Sequence, residues 1–394
     1  MPNKKLKDFN FSKIIDSNSE LPCFSHQMAI YEKKRTKSSW YMKFLGTEIK
    51  SAISEVIAQE LFRLILPDHP KTRCVEEIVP TDNRVYYYVA SKAIKNVDPF
   101  YFTGEKNYSQ DITSGKVKGL GAVQVISLWL NEIDFKEGNV VANKEGKVIK
   151  LDGGQCFASI LEHIPSYGER KFDITSRDLE SLPVLTDYTP YHWLDFITHD
   201  QEEIPHEKII NPYSQLLTIK NNDGFKNEVN QAILRIISLP DKFIHYFVKS
   251  YVSNENISTQ LINNIKERKQ QLEKSALEMK NFTAYLSSPE ALKEIEKYIN
   301  YLKTFKTMSK FFLVNELKNN HKIDIERFLI TKATSVLNEL SGNLRSLKGA
   351  PLPSSRNLPS FFPKIKARKK LITKEEMLGI ESNQLPLGYN CLLT

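Results

Sequence analysis

Residues 125–157 read VISLWLNEIDFKEGNVVANKEGKVIKLDGGQCF and divide into a helix, a polar loop and a β-hairpin. The helix belongs to an apolar run from Leu120 that includes Val123, Val125, Ile126, Leu128, Trp129 and Leu130. A segment hydrophobic nearly all round is a helix buried on every side. The loop after it offers Asp134, Lys136 and Asn139. Asn143-Lys-Glu-Gly146 supplies turn chemistry between VVA and KVIKLD. The second strand ends on Asp152, followed by Gly153 and Gly154. Two carboxylates and an amide at the ends of buried elements can hold a divalent cation and orient a hydroxyl, both of which phosphoryl transfer needs. The plainer reading makes the same Asp and Asn residues ordinary turn formers.

Working upstream, residues 84–90 (RVYYYVA) and 74–79 form a second hairpin rich in β-branched and aromatic residues. Residues 48–66 form a strong helix, with Ile49, Ala52, Ile53, Val56, Ile57, Leu61, Leu64 and Ile65 at helical spacing and Pro67 ending it. Residues 26–46 give two strands joined by a basic turn at Arg35 and Thr36. In the second of them, Lys43 lies on the face opposite Trp40, Met42 and Phe44. Such a lysine packs its stem and keeps its head at the surface, or aims it into a cleft. Glu55 sits beside the apolar stripe of its helix, where a carboxylate without a partner is costly. Lys43 is its nearest candidate partner, Glu60 is the alternative acid, and a rim position for Glu55 is the plain alternative. Residues 1–23 read as polar and irregular, and 98–119 as a linker.

Downstream of Phe157 the chain reads as mainly helical, with segments at 176–182, 190–198, 225–237, 241–251, 257–279, 289–305 and 323–340. In the long helix 257–279, residues 266–269 (KERK) are expected on the solvent side. After Gly349 the composition shifts to a Pro-rich and then basic tail, a linker or docking segment.

The 394 residues carry a net charge of +8, concentrated in Lys33, Lys34, Arg35 and Lys37 and in Lys364, Lys366, Arg368, Lys369 and Lys370. These clusters are solvated surface, or they meet a polyanion: nucleotide phosphates, an inositol phosphate or an anionic membrane. Recognisable nucleic-acid-binding motifs are missing, so nucleic acid is not expected as a partner. Apolar runs of the length a membrane helix needs are missing too, so no transmembrane segment is expected. Four cysteines without metal or disulfide spacing suggest a cytoplasmic, reducing compartment. Cys391-Leu-Leu-Thr394 has the form of a prenylation site, although threonine is a disfavoured last residue.

Asp134-Phe-Lys136-Glu-Gly-Asn139-Val-Val resembles the catalytic loop of protein kinases, D-[LF]-K-x-x-N followed by two aliphatic residues. Val148-Ile-Lys-Leu-Asp152-Gly-Gly154 resembles the metal-binding D-F-G segment at the end of its strand. The spacing of Asn139 from Asp152 is similar to that of the superfamily, and Lys43 and Glu55 stand upstream in the same order. The chain is identified as similar to atypical, divergent protein kinases: HipA-type toxin kinases, type II phosphatidylinositol 4-kinases and secreted bacterial effector kinases.

The resemblance implies an α+β, bilobal, protein-kinase-like fold. It has a small β-rich N-lobe with one helix, a larger mainly helical C-lobe and extra C-terminal helices. The implied divisions are an N-terminal extension (1–24), N-lobe (25–97), C-lobe (98–280), C-terminal helical extension (281–348) and basic, Pro-rich tail (349–394).

It also implies residue roles. Asp134 is base or orienter for the acceptor hydroxyl, and Lys136 neutralises the transferring phosphoryl group. Asn139 and Asp152 hold Mg²⁺ or Mn²⁺. Lys43, paired with Glu55, binds the ATP phosphates, and the backbone of Val89, Ala90 and Ser91 receives the adenine. The expected activity is ATP:hydroxyl phosphotransfer to a host protein or an inositol lipid, with an inositol polyphosphate as activator. Its expected setting is a host cell that the protein enters by secretion, associating peripherally with membrane. The alternative is a catalytically dead pseudokinase or a phosphoinositide-binding effector module.

Several features depart from the ordinary kinase pattern. There is no glycine before Gly46, and hence no glycine-rich phosphate loop; Glu132-Ile133 replaces His-Arg; Gly153 replaces the phenylalanine of D-F-G; and no A-P-E segment follows.

Overall fold

Alternation in β4 (Ser39–Phe44) buries Trp40 and Met42 on one face of a sheet and turns Lys43 to the other. The computed structural model describes residues 4–14, 28–80, 83–94, 96–99, 108–135, 139–157, 160, 173–184, 212–302 and 304–305. Among them, β4 joins β1 (Lys4–Lys5), β2 (Phe9–Ile14), β3 (Met28–Lys33), β5 (Thr72–Val79) and β6 (Arg84–Lys92) in a sheet of order β1-β5-β6-β4-β3-β2. The short β1 runs parallel to β5, and the other neighbours are antiparallel. One face gathers Phe9, Trp40, Met42, Val75 and Ala90 into a small core, with Phe9 edge-on to Trp40 at 5.9 Å.

The other face meets α1 (Ile49–Ile65), where Ala52 and Val56 pack on Cys74 and Val89. The far side of α1, with Ile53, Ile57, Leu61 and Leu64, belongs to a second and larger core. That core is shared with α3 (Leu120–Trp129), α6 (Asp223–Ile237), α7 (Asp241–Tyr251), α8 (Glu255–Glu278), α9 (Lys280–Leu286) and α10 (Pro289–Leu302). Shorter helices are α2 (Tyr108–Thr113), α4 (Ser176–Ser181) and α5 (Pro212–Asn221). A second sheet, β7-β8-β9, joins Val97–Pro99, Val140–Asn143 and Val148–Lys150. The architecture is thus α+β, and all described residues fall in one unit, Met1–Leu347. None of the described helices is long and apolar enough to cross a membrane.

Three stretches differ from expectation. Residues 9–14, expected to be irregular, form β2, with a register shift between Phe11 and Lys13. Phe9 anchors this edge strand to the core. The expected linker 98–119 contains the end of β7 and all of α2. In α8, Glu267 is exposed as expected, but Arg268 and Lys269 are buried. Arg268 Nε donates to the Trp129 carbonyl at 2.9 Å and its guanidinium also reaches the Leu128 carbonyl. Lys269 Nζ donates to the Leu239 carbonyl at 2.9 Å and to Asp241 Oδ1 at 2.5 Å. The last carbonyls of a helix have no donor within it, so a cation there satisfies both the acceptor and the helix dipole. At the other end of α3, Glu228 accepts from the N–H groups of Gly119 and Gly121 at 2.8 and 3.2 Å. The helix that leads into the Asp134 loop is therefore held at both ends. The helices expected at 190–198 and 323–340, the tail with its basic cluster, and Cys391 lie outside the described residues.

Arg268→Met leaves the Trp129 carbonyl without its side-chain donor, while the Leu128 carbonyl keeps the Asn131 N–H, and should lower unfolding free energy by about 1–3 kcal/mol. Urea denaturation checks this: the midpoint should fall with the slope unchanged. An unchanged midpoint would mean that the α3 carbonyls are satisfied without Arg268.

Candidate active site

Lys43 Nζ stands 3.0 Å from Glu55 Oε2 and 3.0 and 3.2 Å from Asp152 Oδ2 and Oδ1. Strand β4 supplies the ammonium, α1 one carboxylate, and the segment after β9 the other. Glu60, the alternative partner for Lys43, faces elsewhere and binds Arg63 and Arg73 at 2.6 and 2.8 Å. The two glycines after Asp152 let its main chain come this close. A Cβ on Gly154 would lie 3.1 Å from Asp152 Oδ1 and 3.2 Å from both Glu55 Oε2 and Lys43 Nζ. A Cβ on Gly153 would lie 3.0 Å from the Ala58 Cβ.

Two carboxylates sharing one ammonium do not share it equally. Burial works against the Lys43 charge, but Asp152 and Glu55 outweigh it and hold the lysine above its usual range. Burial would likewise raise Asp152, but Lys43, Lys150 and the Gly154 N–H (2.7 Å) outweigh it and hold this carboxyl well below its usual range. Glu55 goes the other way: burial, opposed by Lys43 and reinforced by Asp152, raises it to about 7.

The hairpin brings in the remaining groups. Val140 pairs with Lys150, and the Leu151 N–H donates to the Asn139 carbonyl at 2.8 Å. Asn139 and Asp152 thus leave the ladder at the same end. Asn139 Nδ2 donates to the Asp134 carbonyl at 2.8 Å and to Asp134 Oδ2 at 3.1 Å. Ile133 and Phe135 are buried anchors on either side of Asp134, whose own side chain is half-buried. Lys136 lies outside the described residues.

With Nδ2 engaged, Oδ1 is the ligand atom that Asn139 offers, and Asp152 offers a carboxylate from the same end of the hairpin. These are hard oxygen donors of the kind Mg²⁺ and Mn²⁺ take. Among the described residues no group of three or more His, Cys, Asp and Glu side chains is placed to hold a metal. One carboxylate and an amide suit Mg²⁺, which completes its shell with water and substrate phosphates.

Val89, Ala90 and Ser91 sit in β6, a central strand paired to β4 on one side and β5 on the other. Their main-chain groups are engaged in those ladders, so an adenine edge would meet main chain beyond them. Val89 is directly opposite Lys43, and Ser91, two residues on, shares that face.

Glu132, Lys150, Cys156 and His69 were not anticipated. The Lys150–Glu132 pair is fully buried at 3.2 Å, and Cys156 Sγ donates to Glu132 at 3.1 Å. His69 Nε2 accepts the Lys150 N–H at 3.1 Å; burial, with Lys150 nearby, lowers its pKa to about 3 and keeps it neutral. The one signal in sequence was a lysine and a glutamate at inward positions of otherwise apolar elements.

A cavity of about 400 Å³ lies apart from these groups and draws on Lys4, Lys33, Arg35, Arg63, Lys71 and Arg73. Burial, reinforced by Arg73, lowers Lys71 to about 8, and burial with Lys4 and Arg73 lowers Lys33. An anion in this cavity would favour the charged forms of Lys71 and Lys33.

The chain matches no protein-family model and no curated protein. The functional reading therefore stands on the geometry above.

Folded Glu55 keeps its proton to about pH 7, while the unfolded chain releases it near 4.5. The folded state binds more protons in that window, so the Glu55 contribution to stability is full below it and is lost as pH rises through it. The difference in unfolding free energy between wild type and Glu55→Gln should fall as pH is raised from about 4.5 to about 7. Parallel pH profiles in urea would refute the raised pKa.

Proposed function

We propose that this chain is an ATP-dependent phosphotransferase, an atypical kinase whose six-stranded sheet with α1 and whose helical region form the two lobes of a protein-kinase-like fold. The observation that carries the reading is the convergence of Lys43, Glu55 and Asp152 beside the Asp134–Asn139 pair. Bound Mg²⁺–ATP or Mn²⁺–ATP supplies the phosphoryl group and much of its charge neutralisation. The protein supplies position and field. Lys43, fixed by Glu55, binds phosphate oxygens. Asp152, kept ionised, and Asn139 hold the metal. Asp134 orients the acceptor hydroxyl and takes its proton, and Lys136 keeps its expected part at the transferring group. Ser91 and Val89 border the nucleotide. The acceptor is a host protein hydroxyl or an inositol lipid.

The test is transfer from γ-³²P-ATP with Mg²⁺ or Mn²⁺ to lipids and host-cell extract. Asp152→Ala should abolish Mn²⁺-dependent nucleotide binding. Asp134→Ala should spare binding and lower turnover at least about 100-fold. Unchanged turnover in both variants would sink the reading. Metal-dependent nucleotide binding without any transfer would favour the catalytically dead module instead.

A second reading is favoured by the basic cavity. Its six cations come from β1, the end of β3 and the turn after it, the end of α1, β5 and the residue before β5, so a multivalent anion such as an inositol polyphosphate would tie these segments together. Inositol hexakisphosphate should raise the melting temperature progressively with concentration and raise turnover. Arg35→Ala with Lys71→Ala should remove most of both effects. Absence of a shift in the wild-type protein would end this reading, and binding to phosphoinositide vesicles alone would point to membrane anchoring.

A further inference from the structure

Glu132 and Lys150 form an ion pair from which water is wholly excluded. Pairs of this kind stabilise poorly, because desolvation offsets the attraction and apolar residues of equal volume often do as well. Their contacts point to a different use. Glu132 Oε1 accepts the Asp134 N–H at 2.8 Å. Glu132 Oε2 faces Lys150 Nζ at 3.2 Å and accepts from Cys156 Sγ at 3.1 Å. Lys150 Nζ donates to the carbonyl oxygen of Asp152. On the opposite side, Asn139 joins Asp134 through its amide and receives the Leu151 N–H on its carbonyl. These bonds close a ring that runs from Asp134 through Glu132 and Lys150 to Asp152, and back along Leu151 and Asn139.

We propose that Glu132 and Lys150 are positioning residues, whose buried pair sets the separation of Asp134 from Asp152. The consequence for turnover rests on the phosphotransfer reading; the geometric claim does not. Asp134 follows α3 and Asp152 follows β9, so neither element alone fixes one against the other. Asn139 links them on one side, and the fully buried Glu132–Lys150 pair links them on the other. A strut of two opposite charges in a dry site has a strongly preferred length, because any lengthening leaves both charges buried and uncompensated. A misplacement of about 1 Å between reacting groups costs on the order of 100-fold in rate. Lys150 also contributes its field to holding Asp152 ionised.

The decisive variant is Glu132→Met with Lys150→Met, which removes the strut without stranding a charge. The folded double variant should keep its melting temperature within a few degrees of wild type. Its Asp134 amide hydrogen, having lost its acceptor, should exchange with solvent deuterium at least about tenfold faster. Its kcat should fall on the order of 100-fold, with KM for ATP changed by less than about threefold. Should the double variant not fold, Glu132→Asp keeps the charge but shortens the reach by one methylene, and the same three measurements apply. An active enzyme whose variant holds kcat within about threefold of wild type overturns the proposal. If the wild-type protein transfers no phosphate, the phosphotransfer reading falls by itself. The exchange rate then decides the positioning claim: faster exchange at Asp134 in a folded variant supports it, and a wild-type rate overturns it.

Discussion

One ammonium shared by two carboxylates holds this site together. Lys43 is separated from Glu55 by 12 residues and from Asp152 by 109, yet both carboxylates lie 3.0 Å from the same nitrogen. A strand, a helix and a hairpin end are thereby fixed to one point. Their sharing is unequal for a physical reason. Asp152 adds a second cation, Lys150, and a main-chain N–H to its stabilisation. Glu55 has Lys43 as its main compensation and feels the charge of Asp152 against it. The cluster therefore has one firmly ionised carboxylate at its open side and one readily protonated carboxylate behind it. Burial is what chiefly lifts Glu55, and a divalent cation drawn to Asp152 would relieve the repulsion that adds to it.

Helix α1 is the rod on which these charges are mounted. It is apolar toward the sheet at Ala52 and Val56 and toward the larger core at Ile57 and Leu61. Its two buried acids point to different partners. Five residues along a helix amount to a rotation of roughly 140°. Glu55 faces Lys43, and Glu60 faces Arg63, Arg73 and the Tyr251 hydroxyl. Burial alone would raise Glu60, but these partners lower its pKa overall. Two of its partners, Arg63 and Arg73, also line the basic cavity. The cavity and the Lys43 cluster are thus fastened to one rigid element.

Periodic features were legible in the sequence. The alternation of Trp40, Met42 and Lys43 and the helical spacing around Glu55 place these residues by local geometry alone, and both positions survive because their elements are anchored by strong apolar faces. The hairpin ending at Asp152 was legible from its turn residues. What escaped is what only tertiary packing decides. β2 lies in a polar stretch of the chain and becomes a strand because β3 offers it a ladder. Arg268 and Lys269 fall on what looks like the wet side of α8, but carbonyls at the ends of neighbouring elements call for donors there. The engaged backbone of Val89–Ser91 follows from a strand flanked on both edges, which pairing order reveals and residue pattern does not.

Gly153 and Glu132 fit a single packing solution. Gly153 lies flat against α1, where its missing Cβ would stand 3.0 Å from Ala58 and 3.1 Å from Gln59 Nε2. A phenylalanine at that position has no room. The close approach has a cost, because both polar atoms of the Gln59 side chain are buried without a hydrogen-bond partner among the described residues. What it achieves is to bring Asp152 up to the helix, within reach of the ammonium that Glu55 also holds. A segment drawn toward α1 in this way needs a counter-tie on its other side, or its carboxylate would drift from the Asp134 loop. Lys150, the last residue of β9 and two before Asp152, supplies that tie through Glu132. The glycine and the glutamate are then parts of one arrangement, in which contacts to α1 set the height of Asp152 and a buried ion pair sets its distance from Asp134.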